Sequence, residues 1–424
     1  MLKKKIKQYT PARLWFFLFR VKKSARELKV RIILKRVKSN TFFFRFLTRN
    51  KCKKIVWLDT LQSEEIFKEA ELVDIYEPNY YGAQKKTHVL KPAVALYLLH
   101  DADVHCESSH IVLNESIVME RLPDVPVECC NYSAGYIEGH NDSFSVYRFS
   151  SEYTRLEKAF FLGGNGSWNY YHWTVEIITK LYYFFSSTIK DSGMKLIVPE
   201  HVKKIKSFLV MIDLIVAGRC EIIYLPDNQV IHVKQLYLIN TPSNLVFNYK
   251  KDFVFSSGFV YFDKESIDFV RNSVLGSSCY DVFLNDYNDR SIFRKVYLAR
   301  KEGAARNYNQ KDVINIALKY GFKPIYLEDF SFFEQVYIFQ SVEFVIGASG
   351  AAWTNLIYIN ESAKAISWLN DNVKGFSVYS TLAKYYNCDL RFLQCKVSDS
   401  ESVHSDYIVD LNDFEGLIIN LLGN

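Results

Sequence analysis

The chain has 424 residues, 49% of them hydrophobic and 24% charged, and its 9 prolines and 17 glycines exclude long flexible linkers. That length exceeds what one compact core accommodates and suits two domains, or one large domain with extensions. The net charge of +6 is uneven: residues 1–54 hold 19 Lys or Arg and a single acid, Glu27, a net +18 that leaves −12 on the other 370 residues.

The basic arm, residues 1–54, interleaves its charge with the apolar runs Leu14 to Phe19 and Phe42 to Phe46. Neither run reaches the roughly 18 residues that span a bilayer, and no secretory leader is expected, because an apolar h-region and a small-residue cleavage site are both missing. Between Val21 and Val37, the residues Val21, Leu28, Ile32, Ile33 and Val37 recur with mixed helical spacing among Lys and Arg. Such a segment fits an anionic membrane surface; the plainer reading is a solubilising or nucleic-acid-attracting tail. No nucleic acid is expected as a partner, since the acidic body offers no basic groove. The eight cysteines form no CxxC pair, so reduced thiols and a cytoplasmic location are expected.

The body begins near Ile55 to Thr60. Ala93 to Leu99 is a short apolar run, and Ser109 to Leu113, Ser116 to Met119 and Phe144 to Phe149 read as strands. Ala159 to Leu162 ends in Gly163-Gly164, and Trp173 to Phe185 reads as a helix. Strands are expected at Leu196 to Val198, Glu221 to Leu225 and Gln235 to Ile239, with a helix over Val202 to Ile212. This alternation predicts an α/β unit with a mostly parallel sheet. Residues 241–260 read as a loop or interdomain region, and Ser266 to Val274 as a helix. From Val296 the order is strand (296–298), helix (309–319), strand (324–327), helix (331–340), strand (344–346), turn (347–350), helix (351–358) and strand (363–368), which is a doubly wound domain. Two such units form a bilobal body with a cleft between them.

Three groups of residues could carry chemistry. The turn Gly347-Ala348-Ser349-Gly350-Ala351-Ala352 leaves a strand and opens a helix, so its small residues and free N–H groups suit a phosphate, with Thr354 and Asn355 on the first turn. The alternative is that small residues merely allow tight packing. The stretch Gly163 to Trp173 is polar and aromatic, and places His172 and Glu176 at i,i+4 on one helical face; a packing or capping histidine is the alternative. Arg300, Lys301 and Arg306 follow a strand and could neutralise a diphosphate, or be a solvated strand end. Glu334 stands three residues after Ser331, the position of a helix capping box. The pattern is not HExxH and the scattered histidines suggest no metal site.

Three blocks together resemble glycosyltransferase family 61, in its bacterial surface-polysaccharide branch. The first is Asn169-Tyr170-Tyr171-His172-Trp173 with Glu176. The second is Tyr297-Leu298-Ala299-Arg300 with Arg306, Asn309, Asp312 and Val313. The third runs from Leu327 through Ser331, Phe332, Glu334, Gln335 and Phe339 to Gly347, Gly350, Ala351, Thr354, Asn355 and Leu356. The resemblance implies a GT-B-like fold of two Rossmann-like lobes: an acceptor-side lobe at 55–255, a nucleotide-sugar-binding lobe at 256–400 and an extension at 401–424. It implies an inverting transfer from a nucleotide-diphosphate sugar, UDP-linked, with no cofactor or metal, to a glycan or lipid-linked glycan of a bacterial capsule, lipooligosaccharide or O-antigen. Arg300, Arg306, Gly347, Ser349, Gly350, Ala351, Thr354 and Asn355 would surround the donor. His172 would be the base, oriented by Glu176, with Glu334 as the substitute. Many family members carry a histidine where this chain has Ser349. The rival readings are a sugar-phosphate transferase of capsule polymer synthesis and a catalytically inactive glycan-binding relative. The location expected is cytoplasmic, peripheral at the inner membrane.

Overall fold

The computed structural model describes residues 12–38, 52–80, 82, 84–106, 108–122, 124–148, 153–190, 193–227, 229–245, 256–287, 293–301, 306–397 and 405–423. The expected run Phe42 to Phe46 lies outside them. Among the described residues are two large sheets. The first has eleven strands and is mixed. Four strands, Ile222–Leu225, Lys195–Pro199, Tyr153–Phe161 and Val230–Ile239, run parallel in that order. Beyond them the long strand Val94–Val104 pairs antiparallel with Val230–Ile239, and the sheet continues through Ile111–Val112, Ser116–Met119, Cys52–Trp57, Phe144–Tyr147 and Ile137–His140.

The expectation of a mostly parallel first sheet is therefore corrected: its helix-connected part is parallel, and beyond it the one parallel pairing among the described residues is that of Cys52–Trp57 with Ser116–Met119. Residues 94–147 hold no helix to carry a crossover, so their strands meet largely through antiparallel pairings. The run at Ala93 to Leu99 extends to eleven residues, because Asp101 and Asp103 sit at a solvated end that hydropathy alone discounts.

The second sheet follows the expected alternation. Its strands lie in the order Lys323–Ile325, Lys295–Leu298, Phe344–Ala348, Lys364–Asn370 and Asp389–Val397, all parallel, with Tyr407–Ile408 antiparallel at the edge. Successive residues point to opposite faces and both faces are buried, as a doubly covered parallel sheet requires. Val296, Leu298, Val345 and Ala365 enter one core; Tyr297, Ile346, Ile366 and Trp368 enter another. That second core is closed by Val313 and Ile316 of the helix Gln310–Lys319 and by Phe414, Ile418 and Leu421 of the last helix, Leu411–Gly423.

The largest core joins the sheets. The helix Lys264–Leu275 packs on the helices Lys180–Ser186 and Lys206–Val216 from the first half, and on the turn Ala351–Tyr358 from the second. The hairpin of Glu71–Tyr76 and Lys86–Lys91 reaches the helix Val378–Tyr385, where the Thr381 hydroxyl accepts from the Tyr76 N–H at 3.0 Å. Asp263, 1% exposed, accepts from Lys68 at 3.0 Å, Lys91 at 2.8 Å and Tyr183 at 2.7 Å. No helix among the described residues is long and apolar enough to cross a membrane.

Candidate functional site

The strand Tyr153–Phe161 ends in a glycine-rich loop that lies against the next helical segment. Gly166 has φ +68°, and a Cβ there would come within 2.7 Å of the His172 ring. Glycine is thus required twice, for the left-handed backbone and for the close approach. The helix expected from Trp173 opens instead as a π-helical turn, His172–Ile177, before a short α-helix, Lys180–Ser186. Such wider turns occur mostly as local insertions at functional positions.

The turn buries His172 and Glu176, at 7% and 4% exposure. His172 Nδ1 lies 2.6 Å from one Glu176 oxygen, and the other accepts from the Leu245 N–H at 2.7 Å. Burial holds the Glu176 carboxyl above its ordinary range, against the opposing pull of His172, the Leu245 N–H and Lys180. Lys180, one further turn along, is buried, donates to the Gly163 carbonyl at 3.3 Å and lies 4.0 Å from Glu120. Burial lowers its pKa while Glu120 and Glu176 raise it. His172, Glu176, Lys180 and Glu120 therefore form a buried row in which carboxylates alternate with basic groups. A cavity of ≈ 30 Å³ between Glu120 and Glu176, lined also by Asn165 and Thr241, has room for about one water.

The second group sits at the carboxyl ends of the parallel strands, where open α/β sheets bind ligands. Arg300 follows Lys295–Leu298. Its backbone N–H donates to the Gln310 side chain at 2.8 Å, and Gln310 returns a bond to the Arg300 carbonyl at 2.7 Å. Its guanidinium donates to the backbone carbonyl of Ser349. At Ser349, then, the main chain anchors the arginine, a role open to any residue type. Gly350 has an extended backbone, and a Cβ there would fall 2.9 Å from the Arg300 guanidinium and 3.9 Å from that of Arg306.

Arg306 is held at φ +63°. Its Nε is buried without a hydrogen-bond partner, and no carboxylate among the described residues pairs with it. Burial and the neighbouring Arg300 both lower its pKa. Two guanidiniums side by side, with the Arg306 Nε unpartnered, are chemistry that suits an anion. A cavity of ≈ 380 Å³ opens beside them, lined also by Lys301, Asn307 and Lys311, within the size range of small-molecule sites.

Ala351–Tyr358 is a 3₁₀-helix rather than an α-helix, with Thr354 and Asn355 fully buried. Asn355 accepts from the Tyr170 hydroxyl at 2.8 Å and donates to the Ala352 carbonyl at 3.1 Å. Tyr171 meets Tyr379 edge-on, ring centroids 6.2 Å apart, and Tyr379 in turn interacts electrostatically with Arg306. The two motif blocks, some 180 residues apart in the chain, are thus joined by Tyr170 and Tyr171.

Gly347 has a packing role: a Cβ there would lie 2.8 Å from that of Leu298 on the adjacent strand. Glu334 closes the capping box, accepting from the Ser331 N–H at 2.6 Å. Sequence reasoning passed over Tyr379, Gln310 and Lys180. Only Lys180 carried a signal, its i,i+4 spacing from Glu176. Trp168, on the turn before His172, is 63% exposed.

Residues 170–366 match the model of the family Glycosyltransferase 61. No curated protein matches the chain. The matched region covers the histidine turn, both arginines and the 3₁₀-helix, and it belongs to that family of glycosyltransferases.

Proposed function

From this membership we propose that the enzyme is an inverting glycosyltransferase of GT-B design, moving a sugar from a nucleotide-diphosphate donor, UDP-linked, to a glycan or lipid-linked glycan acceptor. The observation that carries the reading is Arg306, a half-buried arginine whose buried Nε is unpartnered, beside Arg300 and Gly350. A donor diphosphate would complete it. The missing Cβ of Gly350 leaves the phosphate room to approach both arginines, with Ala351 opening the helix after it and Thr354 and Asn355 buried in that helix.

In the transfer, the acceptor oxygen bonds to the anomeric carbon while the carbon–oxygen bond to the diphosphate breaks, its electron pair leaving with the phosphate. The acceptor proton passes to His172 Nε2, and Glu176 holds Nδ1–H and stabilises the imidazolium. Charge developing on the leaving diphosphate falls on Arg300 and Arg306. The residues supply acid–base and electrostatic catalysis without a metal, and the reaction serves a bacterial surface glycan made in the cytoplasm.

Incubation with a panel of nucleotide sugars, followed by proton NMR of the transferred or released sugar, tests the reading. Inverted anomeric configuration and loss of turnover in His172→Ala are expected. Retained configuration, or transfer of the sugar with its phosphate, would overturn it.

A further inference from the structure

We propose that the outward face of the N-terminal helix, Ala12–Lys38, docks the enzyme onto an anionic lipid bilayer. The inference is independent of the reaction. One side of this helix is attached to the body. Val30, 6% exposed, sits over Gly139, where a Cβ would come within 2.7 Å of its Cγ1. Arg26 and Lys29 reach Glu138 at 3.8 and 3.5 Å. These contacts hold the helix against the edge strands Ile137–His140 and Phe144–Tyr147.

With about 100° per residue and Val30 at zero, Leu28, Val21 and Ile32 fall near 160°, 180° and 200°. They form an apolar stripe on the far side and are exposed at 60%, 50% and 39%. Arg31 and Lys35 flank it at about 100° and 140°, and Lys29 and Lys22 at about 260° and 280°. An apolar stripe edged by cations on both sides is the form of a helix lying in a lipid interface. No apolar face is needed here for folding, because the helix already makes its body contact through Val30.

Charge selects the partner. A second copy meeting stripe to stripe would bring two rows of cations together over three apolar side chains, too little area for a stable dimer. An anionic bilayer instead compensates the cations and accepts the stripe. Residues 55–424 carry −12 and are repelled by such a surface, so attachment depends on the basic N-terminal segment, to which this helix contributes a net +9.

Full-length protein should co-sediment with phosphatidylcholine vesicles that contain phosphatidylglycerol, and not with phosphatidylcholine alone. The double variant Leu28→Asp, Ile32→Asp should lower the partition coefficient by about tenfold or more, with an unchanged circular dichroism spectrum. Should that variant misfold, Leu28→Trp provides the readout: its fluorescence should shift to the blue with anionic vesicles only. Equal binding to both vesicle types, binding untouched by the aspartates, no blue shift, or a lipid-free dimer dispersed by the aspartates would each overturn the proposal.

Discussion

Arg306→Met should have two effects of opposite sign. The Nε of Arg306 is buried without a partner, and an unsatisfied buried donor costs about 1–3 kcal/mol. Methionine removes that donor and the repulsion from Arg300, keeps much of the volume, and tolerates the left-handed backbone no worse than arginine does. At about 2.1 cal/mol/K per residue, unfolding entropy for this chain is roughly 0.9 kcal/mol/K. The ligand-free variant should therefore melt about 1–3 °C higher than wild type. Nucleotide binding should move the other way. A lost charge-assisted hydrogen bond of about 1.5–3 kcal/mol weakens UDP by roughly 10- to 100-fold. Differential scanning calorimetry without ligand and isothermal titration with UDP read the two effects. Arg294→Met is the control: that exposed arginine pairs with Glu343 away from the site and should change UDP affinity by less than twofold. Unchanged UDP affinity in Arg306→Met, or a melting point lowered by several degrees, would refute the assignment of this arginine as a strained anion receptor.

Glu176→Gln should lower kcat by about 10²- to 10⁴-fold with little change in donor KM, because an amide N–H facing Nδ1 favours the tautomer that cannot accept the acceptor proton at Nε2; unchanged kcat would remove the dyad from the chemistry. Tyr170→Phe and Asn355→Ala should couple by about 0.5–1.5 kcal/mol in a double-mutant cycle read by urea unfolding, since their 2.8 Å bond joins the two motif blocks; additivity would show that the bond carries no weight. Asp263→Asn tests the buried ion cluster. Burial raises the Asp263 carboxyl, but Lys91, Tyr183 and Lys68 overcome it and hold the pKa down to about 2 against an ordinary 3.8. A depressed carboxyl contributes stability above its unfolded pKa and loses it as pH falls through the folded one. Wild type should exceed the variant by about 2 kcal/mol at pH 7, with the gap closing as pH falls from 4 towards 2. Trp168→Ala should raise acceptor KM several-fold and leave donor hydrolysis unchanged, if the exposed indole is a platform for the acceptor sugar; a raised donor KM instead would place it on the other substrate.

The legible parts of the fold were those with a helical or two-residue period. Strands at 296–298, 344–346 and 363–368 and the helix at 309–319 stand within a few residues of their expected bounds, because each strand is buried on both faces and each helix has a single buried stripe. The hairpin Glu71–Tyr76 and Lys86–Lys91 was hidden, since its strands carry Glu71, Asp74, Lys86 and Lys91. Lys91 is buried between Glu71, across the hairpin, and Asp263, 172 residues on, which neutralise it. No local pattern announces such a pairing. The site divides in the same way. His172 with Glu176, and Arg300 with Arg306, follow from spacing and chemical type. Tyr379 was not foreseeable, since its place beside Tyr171 depends on how the helix Val378–Tyr385 lies across the 3₁₀-helix Ala351–Tyr358.

Those long-range pairings also bear on how the proposed base and the proposed anion site keep their separation. The dyad belongs to one sheet and the arginines to the other, so a hinge between the sheets would vary the distance that matters for transfer. Three sets of contacts resist it. Tyr170 bonds to Asn355 beneath the site. Arg271, on the helix Lys264–Leu275, donates to the carbonyl of Ile357 while that helix packs on Lys206–Val216. The hairpin strand Glu71–Tyr76 is tied to Ser380 and Thr381. Separating the halves would strip buried donors and acceptors at each place, at about 1–3 kcal/mol for every group left unsatisfied. Arg306 combines a left-handed backbone with an unpartnered buried Nε. In the proposed transfer, binding energy from the donor diphosphate would be released where charge builds up on the leaving group, with a rigid scaffold around it.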